Sequence, residues 1–132
     1  MMFAKAYIVT LIIFLSLDFL WLGLIAKDFY GSQLENLMRA NINYLAAGLF
    51  YLLYVGGIVF FAVEPALIEE NWRKAAISGA LLGLIAYGTY DMTNLATLKH
   101  WALNLSIVDK IWGSCLTSLS SVFGFLITRA LP

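Results

Sequence analysis

Asp18 stands inside an apolar run from Ala6 to Ala26 that is long enough to cross a bilayer. A carboxylate at that depth costs about 2.5 kcal/mol or more, so it pairs, faces a bundle interior, or does chemistry. A second carboxylate, Asp91, lies in another apolar run beside Tyr87, Tyr90 and Asn94, spaced to share one helical face. Trp21 follows Asp18 by three residues. Asp109, Lys110 and Trp112 form a third cluster, with Lys99 between the second and the third. Carboxylates beside aromatic rings suit a cation. Two carboxylates brought close together resist double ionisation and can share a proton, and the same pair can act as acid and base. No nucleophile motif, phosphate loop or metal cluster accompanies them. His100 is the single histidine, which excludes a bis-histidine haem and any multi-His metal site within one chain. No metal or cofactor is expected.

These residues need a scaffold, and the composition names its class. Of 132 residues, 62% are hydrophobic and 12% charged, against about 45–50% and 25% for soluble domains. The mean hydropathy is +0.86. The surplus apolar surface must face lipid, so the expected partners are membrane lipids, and residues 1–132 form one integral membrane domain. Zero net charge gives no reason to expect nucleic acid. The lone Cys115 has no intrachain partner. The N-terminal run is too long for a signal peptide, contains Asp18 and Trp21, and lacks a cleavage pattern, so it reads as a retained first span.

Four runs have spanning length: Ala6–Ala26, Asn43–Val63, Ala75–Leu95 and Val108–Leu131. The expected fold is all-α, a four-helix transmembrane bundle with a short interfacial amphipathic helix between the first and second spans. That short helix is read from the capping-box spacing of Ser32 and Glu35 and from Leu34, Leu37 and Met38 on one face. Pro65 is expected to stop the second span and Asn71 to cap the third. Ser106 with Asp109 resembles a cap for the fourth, which would make Asp109 a charge complementing the helix dipole. Trp21, Trp101 and Trp112 fit an aromatic belt. Gly79 and Gly83 form a small-xxx-small pair, and Gly113, Thr117, Ser121 and Gly124 a small-residue stripe, both suited to close helix packing.

An even number of spans puts both termini on one side. The end of the first span, the start of the second with Asn41, Asn43 and Tyr44, the end of the third and the start of the fourth then share the opposite face. Nearly all the unusual polar and aromatic residues fall there, which predicts a polar pocket open to that side. Asp18 and Asp91 are each about seven residues from a helix end, ~10 Å below the interface, and are expected to face each other across the pocket. The candidate ligand-binding residues are Asp18, Trp21, Tyr87, Tyr90, Asp91, Asn94, Lys99, Asp109 and Trp112. Asp18 has a second reading as a structural hydrogen-bond partner for the third helix or for an Asn, and Asp91 as a cap or a pair near the interface. Lys5, Arg73, Lys74 and Arg129 on one side balance Lys27, Arg39, Lys99 and Lys110 on the other, so the positive-inside rule leaves orientation open.

Three segments carry a resemblance: Leu17-Asp18-Phe19-Leu20-Trp21-Leu22-Gly23, Tyr90-Asp91-Met92-Thr93-Asn94-Leu95-Ala96-Thr97-Leu98-Lys99 and Asp109-Lys110-Ile111-Trp112-Gly113. With the four-span layout they resemble a family of small bacterial inner-membrane proteins, a domain-of-unknown-function family, over nearly the whole chain. The resemblance implies a multi-pass protein of the bacterial inner (cytoplasmic) membrane and implies no activity. A weaker similarity, four short helices with an acid in the first, is to the small multidrug resistance transporters; here the acid is Asp and the first connection is long. Three functions compete. Binding or transport of a small amphipathic or cationic ligand, with a homodimer to alternate access, ranks first. A structural or accessory membrane subunit ranks second, and an enzyme acting on a lipid or isoprenoid third.

Overall fold

The computed structural model describes residues 2–34 and 43–132. Every regular element among them is helical. Helix α1 (Met2–Leu20) runs on through a π turn at Trp21–Ile25 to make a first rod. Helix α2 (Lys27–Gln33) follows directly. Helix α3 (Tyr44–Ile58), a second π turn at Val59–Val63 and α4 (Glu64–Glu69) make a second rod. Helices α5 (Trp72–Thr97) and α6 (Leu103–Ala130) are the third and fourth. Three rods, Met2–Ile25, Tyr44–Glu69 and Leu103–Ala130, are long and apolar enough to cross a membrane. Helix α5 has 26 residues, a spanning length, but Arg73, Lys74, Asp91 and Asn94 make it more polar.

All four rods extend past the apolar runs that mark them at one end or both. Apolarity records what lipid contacts, whereas backbone hydrogen bonding continues until something stops it. Pro65 does not stop the second rod. It lies in the first turn of α4, just after the π turn, where a missing N–H costs little. The stop comes at Glu70, which takes a left-handed conformation with φ 52°, while the Asn71 N–H donates to the Ala66 carbonyl at 3.1 Å. Asn71 then caps α5, its Oδ1 accepting the Arg73 N–H at 3.0 Å.

Helix α6 begins at Leu103 without a side-chain cap. Ser106 is therefore inside the helix. It accepts from Trp101 Nε1 and donates to the Asp91 carbonyl, both at 2.9 Å. Asp109 lies beyond the first turn and is buried, so it is not a dipole-complementing surface charge. Ser32 sits within α2, its hydroxyl donating to the Phe29 carbonyl at 3.0 Å; the short amphipathic helix expected after it lies outside the described residues. Glu35, Leu37, Met38 and Asn41 lie outside the described residues.

The closest packing joins α5 to α6, and small residues permit it. A Cβ on Gly79 would stand 2.8 Å from the Thr117 carbonyl, and one on Gly83 would collide with the Gly113 backbone. Ser114 and Ser118 use that proximity to donate across to the carbonyls of Ala80 at 2.8 Å and Ala76 at 2.9 Å. The first rod lies against α6, with Thr10 over Gly124. Phe14, Val55, Ile58, Leu116 and Phe125 fill the centre. The second rod meets α5 mainly through Val59–Val63. Its first turns stand away from α5, and Phe50, on the side toward α5, is exposed. Lys5 Nζ donates to the Pro132 oxygen, which puts both chain ends at the far end of the bundle from this divergence.

Candidate functional site

Where the second rod diverges, a cavity of about 450 Å³ opens. The first rod contributes Asp18 and Leu22, and α2 contributes Tyr30. Ala47, Phe50, Tyr51 and Tyr54 come from α3; Ala86, Tyr87 and Tyr90 from α5; Asp109 and Trp112 from α6. The wall is thus mostly aromatic and aliphatic, with two carboxylates set into it.

Asp18 is only 5% exposed. Its Oδ2 accepts from the Tyr51 hydroxyl at 2.7 Å and its Oδ1 from Trp112 Nε1 at 3.4 Å. Asp109 Oδ1 accepts from the Tyr30 hydroxyl at 2.7 Å, and that hydroxyl accepts from Trp21 Nε1 at 3.2 Å. Trp21 stacks on Trp112, with ring centroids 4.4 Å apart and planes 10° off parallel. Burial, and then the bond to Asp109, push the Tyr30 phenol well above the usual tyrosine range, so it remains a neutral donor at any physiological pH. The floor is Tyr54, hydrogen-bonded to Thr117 at 2.7 Å and edge-on to Tyr87 at 6.1 Å.

Among the described residues neither acid has a cationic partner. The one ion pair among the described residues is Lys74–Glu69 at 3.0 Å, on the surface across the connection between the second rod and α5. Lys110, next in sequence to Asp109, instead directs its ammonium to Met92 Sδ at 3.2 Å. Charge in such surroundings is expensive unless it is neutralised.

Asp91 is placed differently from its expectation. It is fully buried, and neither carboxyl oxygen has a hydrogen-bond partner among the described residues. The carboxyl beside it belongs to Asp109; Asp91 lies behind the wall and does not face Asp18 across the cavity. The helix dictates this, because successive residues point about 100° apart. With Ala86, Tyr87 and Tyr90 on the cavity, Asp91 turns toward α6, where the Ser106 hydroxyl reaches its carbonyl. Of the other candidates, Tyr87, Tyr90, Asp109 and Trp112 line the cavity, Trp21 backs Trp112, and Asn94 and the exposed Lys99 are not part of the wall. Trp101 is buried against Tyr90, with centroids 5.6 Å apart, and is not a belt residue.

Sequence reasoning passed over Tyr30, Tyr51 and Tyr54. Ala47, Tyr51 and Tyr54 stand at i, i+4 and i+7, a hydroxyl-bearing face in an apolar run, and that signal was there to read. Among the described residues no three His, Cys, Asp or Glu side chains converge in the manner of a metal centre. What the arrangement offers is two carboxyl groups, hydroxyl and indole donors that hold them, and ring faces around the space between.

The model of a family described as Predicted membrane protein (DUF2177) matches residues 3–126. The chain belongs to this family. Its match takes in every residue of the cavity wall, and the family's function is unknown. No curated protein and no solved structure matches the chain.

Proposed function

We propose that this protein binds a small amphipathic cation between Asp18 and Asp109 and moves it across the bacterial cytoplasmic membrane. The observation that carries this reading is the pair of carboxylates on one aromatic-walled cavity with no cationic side chain opposite them among the described residues. A bound cation would offset negative charge on these carboxyl groups, and a ring face adds about 2 kcal/mol once water is excluded. In this reading α5 crosses the bilayer as the fourth span, and two copies associate so that access can alternate.

Tetraphenylphosphonium and tetraphenylborate test the reading, because they match in size and shape and differ in sign. Calorimetric titration of the detergent-purified protein should show saturable binding of the cation alone. Asp18→Asn should weaken it at least tenfold, about 1.4 kcal/mol. Equal binding of both ions, or an unchanged affinity in the variant, removes the proposal. A second reading has its own support: the bonds Tyr51–Asp18, Trp112–Asp18 and Tyr30–Asp109 tie α1, α2, α3 and α6 together. For an accessory subunit held by that network, Asp18→Asn would melt earlier and neither ion would bind.

A further inference from the structure

Among the described residues the cavity is closed on two sides and open on a third. Toward the membrane surface Tyr30 lies across it, bonded to Asp109 and held by Trp21. At its base Tyr54, bonded to Thr117 and against Tyr87, forms a floor. The second rod meets α5 mainly below that floor, through Val59–Val63. Above it the facing rims are Ala47 and Phe50 on α3 and Ala86 and Tyr90 on α5. Phe50 is 57% exposed and Tyr90 56% exposed, although both line the cavity. Their rings therefore have one side on the cavity and another on the outer surface of the bundle. At this depth that outer surface meets hydrocarbon.

We propose that the ligand is a single-chain amphiphile with a cationic head, which enters from the bilayer through the gap between α3 and α5. This rests on the cation-binding reading of the cavity. The head sits between Asp18 and Asp109, and the chain leaves between Phe50 and Tyr90 into the lipid. A cavity of about 450 Å³ lies within the ~300–1,000 Å³ common for small-molecule sites and takes the head with the first part of the chain. The rest of the chain stays in an apolar medium throughout, so only the head exchanges its surroundings. There it meets two carboxylates and the faces of Tyr87, Tyr90 and Trp112.

The test uses an alkyltrimethylammonium probe with a photoactivatable diazirine at the far end of its chain, added to the full-length protein in phosphatidylcholine nanodiscs. After irradiation the labelled residues are read by mass spectrometry. The expected labels fall on the outer rims of the gap, around Phe50 and Tyr90. They should drop at least tenfold in Asp18→Asn and with excess unlabelled amphiphile. Ala47→Trp, or Ala86→Trp if the first variant does not fold, narrows the gap without altering either acid and should also suppress them. Labels that depend on Asp18 but fall inside, on Leu22 or Tyr54, or on α2, overturn the lateral route and leave the cation site standing. Labelling that neither Asp18→Asn nor the competitor reduces overturns the cation site as well.

Discussion

At the scale of single residues, the cavity is a place where carboxyl groups are held by donors that carry no charge. Asp18 has a phenol and an indole, and Asp109 has a phenol. A hydrogen bond to a charged acceptor is worth about 1.5–3 kcal/mol, more than a neutral one, yet it does not cancel the charge. The acids are thus held in place with no cationic side chain against them among the described residues, which is what the proposed cation requires. Tyr30 allows a pH test. Its phenol titrates above the ordinary value of 10.0 in the folded protein, so on raising the pH the unfolded chain gives up this proton first. The stabilisation from Tyr30 is then complete below pH ~10 and declines above it. Tyr30→Phe should cost about 1.5–3 kcal/mol near pH 8, and the gap to the parent protein should narrow by pH 11. Paired denaturation curves at the two pH values check this, and a constant difference contradicts it.

At the scale of elements, some positions were readable and others were not. The Gly79 and Gly83 pair announced a close helix contact, and α5 and α6 make one. Asn71 announced a cap and is one. Pro65 and Ser106 misled, because each has two roles and its neighbours choose. Proline ends a helix or begins one. Serine caps a helix or bonds across to another chain segment, and here Ser106 finds Trp101 and the Asp91 carbonyl. The glycines differ just as sharply. A methyl on Gly83 would strike the Gly113 backbone, which no rotamer change can move aside, whereas one on Gly57 would meet nothing within 4 Å. Gly83→Ala should therefore cost about 1–3 kcal/mol, and Gly57→Ala should be neutral or stabilise by up to ~1 kcal/mol. Thermal melts in one detergent would show the contrast, and equal effects would mean that α5 and α6 are not in backbone contact.

At the scale of the whole molecule, the bond between Lys5 and the Pro132 oxygen brings the two chain ends together. Reporter fusions at the two ends should give the same compartment in the cell, and opposite results would break the four-rod arrangement. The sequence by itself determined the membrane class, the helical rods and the carboxylates within them, because composition and helical period are properties of local stretches. It also carried the small-residue faces that bring α5 and α6 together. Only the tertiary structure decided that Asp109 rather than Asp91 stands on the cavity wall with Asp18, that Tyr30, Tyr51 and Tyr54 join it, and that the opening lies between α3 and α5. Those outcomes depend on the rotation of α5 about its own axis and on where the second rod leaves its neighbours. Both follow from how glycine and serine backbones on α5 and α6 meet and from the packing of Val59–Val63. A turn of about 100°, the step from one residue to the next, separates a side chain that faces the cavity from one that faces another helix.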